Sequence, residues 1–201
     1  MSAPRRLGLY GGSFDPPHNA HLALAQAAVA QLALDELRIL PTGDAWHKSR
    51  QLTPAHHRLA MARIAFSLVP HAVVDDREIR RSGATHTIDT LRELQAESPG
   101  AELFLVMGED QAIALTQWRD WQEIVRLATL AVAGRPRAEQ HATLSTSGLP
   151  PGARTAQLQL PSMQENSSDI RARLARGEDI ASLVPPGVAS YIASHHPYQG
   201  N

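Results

Sequence analysis

The sequence predicts an α/β fold: a doubly wound parallel sheet with helices on both faces and a helical C-terminal end. Three observations carry the expectation. Six short apolar runs bounded by turn residues recur along the 201 residues. Most are separated by a longer segment with helical spacing, and such alternation implies parallel strands joined by crossover helices. No repeat, low-complexity tract or linker divides the chain, so residues 1–201 read as a single domain.

The elements follow in order. LGLY (7–10) is the first strand, and the alanine- and leucine-rich stretch 20–34 is the first helix. LRIL (37–40) is the second strand. A helix over 53–68 has Thr53 as N-cap and Pro54 in its first position, where a missing N–H does no harm. AVVD (72–75) is a third strand and 87–96 a helix. LFLVM (103–107) is a fourth strand, followed by helical spacing over 110–127 that divides around Trp118. LAVA (130–133) is a fifth strand. Residues 135–154 are polar and rich in Pro and Gly, which reads as a long surface loop. LQL (158–160) is a sixth strand, and 168–175 and 186–194 are helices with no clear strand between them.

Composition narrows the function. Hydrophobic residues make up 43% and charged residues 19%, an ordinary globular balance. The formal charge of −1 gives no global attraction to nucleic acid or to an anionic membrane, so any anion must be held by local groups. With no cysteine there is no disulfide, thiolate metal site or thiol nucleophile. The apolar run after MSAPRR ends at Gly11, short of a secretory signal, and no stretch approaches the length of a membrane span. The expectation is a cytoplasmic protein with no nucleic acid or membrane partner, with assembly into a homo-oligomer left open.

In a doubly wound sheet, ligands bind beyond the carboxyl ends of the strands. The stretch YGGSFDPPHNAH lies there, between the first strand and the first helix. Gly11 and Gly12 let the backbone turn and approach a bulky anion. Pro16 and Pro17 stiffen the entry to the helix. His18 and His21 are three apart at the helix start and so share a face, beside the unsatisfied amides and the positive end of the dipole. Such a place suits phosphate. A turn with two surface histidines is the plainer alternative.

GGSFDPPHNAH resembles the signature of the nucleotidyltransferase superfamily, a Gly-Gly-Thr/Ser-Phe-Asp-Pro turn leading into His-x-Gly-His, with Ala20 here in place of the glycine. Five further stretches resemble the bacterial nicotinate-nucleotide adenylyltransferases of that superfamily: PTGDAWHKSRQLTPAHHRLAM, REIRRSGATHTIDTLREL, LVMGEDQAIALTQWRDWQEI, LAVAGRP and QENSSDIRARLARGEDIASLVPPGVASYI. In them Ala45 and Trp46 replace prolines, His86 replaces a tyrosine, and Asn166-Ser167-Ser168-Asp169 replaces Ile-Ser-Ser-Thr.

The resemblance implies a Rossmann-like nucleotidyltransferase fold and one reaction: ATP and nicotinate mononucleotide give nicotinate adenine dinucleotide and pyrophosphate, with Mg²⁺ accompanying ATP. It implies His18, His21, Lys48 and Arg171 as catalytic residues. ATP contacts are expected from Gly11, Gly12, Ser13, Phe14, His18, His21, Gly108, Asp110, Arg135, Ser167, Ser168 and Arg171. Contacts to nicotinate mononucleotide are expected from Thr42, Lys48, His86, Thr87, Trp118 and Arg119, with Trp118 as the ring platform, Trp121 in the core, and Arg119 reaching the nicotinate carboxylate. No metal ligand set from the protein is implied. Three alternatives stay open: nicotinamide mononucleotide or phosphopantetheine as acceptor, a nucleotide-binding regulator without catalysis, and a zinc-binding module.

Overall fold

The structure is a computed structural model that describes residues 3–43, 52–134, 149–163 and 165–198. Six strands form one sheet: β1 (Arg6–Gly12), β2 (Glu36–Pro41), β3 (Ala72–Val74), β4 (Glu102–Gly108), β5 (Ala128–Ala133) and β6 (Thr155–Leu158). Every pairing is parallel and the order is β3-β2-β1-β4-β5-β6. The chain thus winds outward one way from β1 and then the other way from β4. The gap between those two strands is the topological switch point where doubly wound sheets hold their ligands.

The apolar runs arise because each central strand is buried on both faces. In β4, Leu103, Leu105 and Met107 enter one core while Phe104 and Val106 enter the other. β5 divides the same way, with Leu130 and Val132 opposite Ala131 and Ala133. On one face lie α1 (Asn19–Gln31), α2 (Ala55–Phe66) and α8 (Pro186–His195); on the other lie α4 (Thr87–Glu97), α5 (Glu109–Ile113) and α6 (Trp121–Leu127). A short α3 (Arg77–Arg80) follows β3, and α7 (Ser167–Ala175) precedes α8.

Two sequence expectations are corrected. The last strand is Thr155–Leu158, not 158–160, because its residues pair with Leu130 to Ala133 of β5. Thr53 does not cap α2. It is buried, Pro54 takes the N-cap position, and the Thr53 backbone is committed to other partners. The segment 110–127 forms α5, a 3₁₀ turn over Ala114–Gln117 and α6, and the break at Trp118–Asp120 is where the sequence places it. The four-residue α3 went unread. Of the long polar loop 135–154, residues 135–148 lie outside the described residues; Leu149 and Ala153 pack against the core of α4 and α6.

Candidate active site

A cleft of about 1170 Å³ opens at the carboxyl edge of the sheet, across the switch point. Its floor is the ends of β1 (Leu9–Gly12), β4 (Leu105–Gly108) and β5 (Ala133), and its walls come from the loops and helix starts that follow. A volume of this order exceeds what one drug-sized ligand fills and suits two nucleotides end to end. A Cβ added at Gly11 or Gly108, both cleft residues, would meet nothing within 4 Å. Packing therefore does not demand glycine at either position, and their bareness widens the cleft.

One end is built on the β1–α1 loop. At Gly12 a Cβ would lie 2.9 Å from the Phe14 ring, so glycine there is a packing requirement. Phe14 itself takes a left-handed conformation (φ 46°) that few side chains adopt, and this turns its ring inward. The ring is buried edge-on to Tyr10 at 5.4 Å, Phe66 at 5.1 Å and His21 at 5.2 Å. Phe14 is thus a core residue, and its side chain is not among those lining the cleft. The expected contact of Phe14 with ATP is therefore left to its backbone. The Asp15–Pro16 peptide bond is cis.

The two histidines line the cleft stacked on one another, 3.7 Å between ring centroids. His18 is the N-cap of α1, and its backbone N–H donates to Nδ1 of His21 at 3.2 Å. That bond occupies Nδ1 as an acceptor. In the neutral ring the proton therefore sits on Nε2, and the ring is a hydrogen-bond donor on its far side. His18 is 6% exposed. Burial lowers its pKa to about 4, and the nearby Glu165 carboxylate works in the opposite direction. At neutral pH His18 is an uncharged donor, and any fixed positive charge must come from elsewhere. Among the described residues, Nδ1 of His18 and Oε2 of Glu165 are buried without a hydrogen-bond partner.

Cationic support comes from two arginines behind the loop. Arg171, on α7, donates to the Asp15 carbonyl at 2.6 Å and to Oγ of Ser168 at 3.0 Å, while Oγ of Ser167 donates to the Pro16 carbonyl at 3.0 Å. The two ends of the chain therefore meet at this loop. These contacts fasten the loop, and Ser167, Ser168 and Arg171 are not among the residues lining the cleft. Arg58, 2% exposed, donates to the carbonyls of Thr42 at 2.7 Å, Thr53 at 2.9 Å and Ser13 at 3.1 Å, tying the β1 and β2 loops together.

The other end of the cleft gathers Thr42, Glu78, Thr85, His86, Thr87, Trp118 and Arg119. Thr87 opens α4 with His86 as its N-cap, so the amides of that helix start face this end. Trp118 closes the 3₁₀ turn, half-buried against the core and half in the cleft. Trp121 packs partly against the same core without lining the cleft. The Glu78 carboxyl is raised above the usual range by burial, and Thr90 Oγ1 donates to it at 3.0 Å. Gly43 is fixed by contact here, since a Cβ would fall 2.0 Å from the Glu78 carbonyl oxygen.

Of the expected site residues, Gly11, Gly12, Ser13, His18, His21, Thr42, His86, Thr87, Gly108, Asp110, Trp118 and Arg119 line this one cleft. Lys48 and Arg135 lie outside the described residues. Sequence reasoning missed Arg58, Thr85, Glu78 and Glu165. All four fall within stretches that carry the family resemblance, Arg58 in PTGDAWHKSRQLTPAHHRLAM, Glu78 and Thr85 in REIRRSGATHTIDTLREL and Glu165 at the start of the C-terminal stretch, but no local rule singles them out.

The sequence matches the Cytidylyltransferase-like family over residues 9–173. A relative from Albidiferax ferrireducens, named probable nicotinate-nucleotide adenylyltransferase, is 51% identical over 195 residues, covering 97% of this chain and 98% of its own length. One of the same name from Methylibium petroleiphilum is 45% identical, covering 98% of this chain and 94% of its own. Among solved structures, Plasmodium falciparum nicotinic acid mononucleotide adenylyltransferase complexed with NaAD superposes with a TM-score of 0.79 at 21% identity, covering 98% of each chain. Its complex with APC gives 0.77 over the same coverage. These distant structures share the fold. The match over most of the chain and the full-length relatives show that the chain belongs to the nicotinate-nucleotide adenylyltransferases of the Cytidylyltransferase-like family.

Proposed function

We propose that the cleft joins ATP to nicotinate mononucleotide, giving nicotinate adenine dinucleotide and pyrophosphate in NAD biosynthesis. The observation that carries this reading is the stacked His18–His21 pair on a loop that α7 clamps, in a cleft with room for a second nucleotide. ATP lies over Gly11, Gly12 and Gly108 with its phosphates at the histidines, and the nicotinate ring sits at Trp118 and the start of α4.

A phosphate oxygen of the mononucleotide attacks the α-phosphorus of ATP. The new P–O bond forms as the bond to the β-phosphate oxygen breaks, and pyrophosphate leaves with that electron pair. No protein nucleophile is required, so catalysis consists of positioning and charge stabilisation. His21 donates through Nε2–H to a phosphoryl oxygen and neutral His18 donates beside it, while the Arg171 guanidinium supplies positive charge at the loop. Lys48 and Arg135 are proposed to contact phosphates.

Among the described residues no group of three or more His, Cys, Asp or Glu is arranged to hold a metal ion. Magnesium is proposed to enter with the ATP substrate, where it would offset phosphate charge. Among the described residues no helix is long and apolar enough to cross a membrane. Steady-state pyrophosphate release with nicotinate mononucleotide, nicotinamide mononucleotide and phosphopantetheine tests the reading. The acid is expected to give the highest kcat/KM, and a preference for either other acceptor overturns it.

A further inference from the structure

We propose that Tyr198, close to the C-terminus, is a positioning residue for the loop that holds the phosphates of ATP. The inference rests on the reading that the β1–α1 loop binds ATP. Tyr198 Oη donates to Oδ1 of Asp15 at 3.0 Å, across 183 positions of sequence. Asp15 is fully buried, and its other oxygen, Oδ2, accepts the Thr53 backbone N–H at 3.3 Å. The Asp15 carbonyl accepts Arg171 at 2.6 Å. The C-terminal segment, the entry to α2 and α7 all meet on this one residue.

The location of that knot matters. Asp15 lies two residues after Ser13 and three before His18, both cleft residues. Its neighbour Phe14 is held in a left-handed conformation that the chain would not keep unsupported. A carboxylate anchored at both oxygens fixes the backbone on either side of that turn. Burial together with the Asp15 charge raises the Tyr198 phenol far above its ordinary range, so the hydroxyl keeps its proton and remains the donor. Loosening one anchor lets the loop drift, and a small misplacement of a phosphate-binding loop weakens binding and rate together. The nicotinate end gathers Thr42, Glu78, Thr85, His86, Thr87, Trp118 and Arg119, none of which this bond touches.

Tyr198→Phe removes the hydroxyl and leaves the ring. Titration calorimetry of wild type and Y198F with a non-hydrolysable ATP analogue reads affinity and stoichiometry together. A variant that is partly unfolded shows reduced stoichiometry at an unchanged Kd. The expected result is a Kd about tenfold weaker at full stoichiometry, ~1.4 kcal/mol of binding free energy. In kinetics, kcat/KM for ATP falls by a similar factor while KM for nicotinate mononucleotide stays within about twofold. An unchanged Kd, whatever the stoichiometry, overturns the inference, as does an equal rise in both KM values. If wild type itself does not bind the analogue, the ATP reading falls and this inference with it; normal wild-type binding beside normal Y198F binding refutes the inference alone.

Discussion

Replacing His18 by Asn is expected to flatten the loss of stability that the protein suffers on acidification. The ring is buried at the start of α1 with a pKa of about 4, against about 6.5 in the unfolded chain. Between those values the unfolded state binds a proton that the folded state refuses, so stability rises with pH across the window. The contribution is complete above about pH 6.5, declines as pH falls toward 4, and changes no further below it. Linkage over this range gives about 2 kcal/mol lost between pH 8 and pH 5. For a domain of this size that is a fall in Tm of roughly 4–8 °C attributable to His18. The assay is urea unfolding of wild type and H18N without ligand at half-unit steps from pH 8 to 5. His57, whose pKa is also lowered, titrates in both proteins and cancels in the difference. Parallel stability curves for the two proteins would refute the argument that burial keeps this ring neutral.

Other perturbations have defined outcomes. Gly43→Ala places a methyl group within 2.0 Å of a backbone oxygen, which cannot swing aside like a side chain. It should destabilise by about 2 kcal/mol or more, read as a lower urea midpoint at unchanged m-value. Trp118→Ala should raise KM for nicotinate mononucleotide by about tenfold, as expected for a lost stacking surface, with KM for ATP little changed. Arg119 has a largely exposed side chain with only a long contact, 3.9 Å, to Asp120. If it meets the substrate carboxylate, Arg119→Ala narrows the ratio of kcat/KM for acid over amide; an unaltered ratio removes it from that role.

What the sequence disclosed and what it hid have physical causes. The strands were legible because both faces of β1, β2, β4 and β5 are buried, which forces continuous apolar runs. β6 was misplaced because TAQLQL alternates over its whole length, and only pairing with β5 decides which part is strand. Thr53 resembled an N-cap by its place before Pro54, yet its N–H goes to Asp15 and its carbonyl to Arg58, partners 38 and 5 positions away. The histidine pair was readable because the i, i+3 spacing on a helix is a local rule. Phe14 lay within the same motif, but a left-handed φ sent its ring to the core. Arg58 looks in sequence like any helix cation; its burial follows from three carbonyls on two loops that the fold alone brings to it. Glu165 and Tyr198 likewise gain meaning only once the C-terminal segment packs against the β1–α1 loop.

The central claim is that residues from the two ends of the chain grip one phosphate chain. The most direct test is the affinity for an ATP analogue of wild type, His21→Ala, Arg171→Ala and the double variant. Because both side chains act on one loop and one ligand, the double variant should lose less than the product of the single losses, a coupling of about 1 kcal/mol or more. Losses that multiply, or an Arg171→Ala protein that binds the analogue as tightly as wild type, would contradict the account.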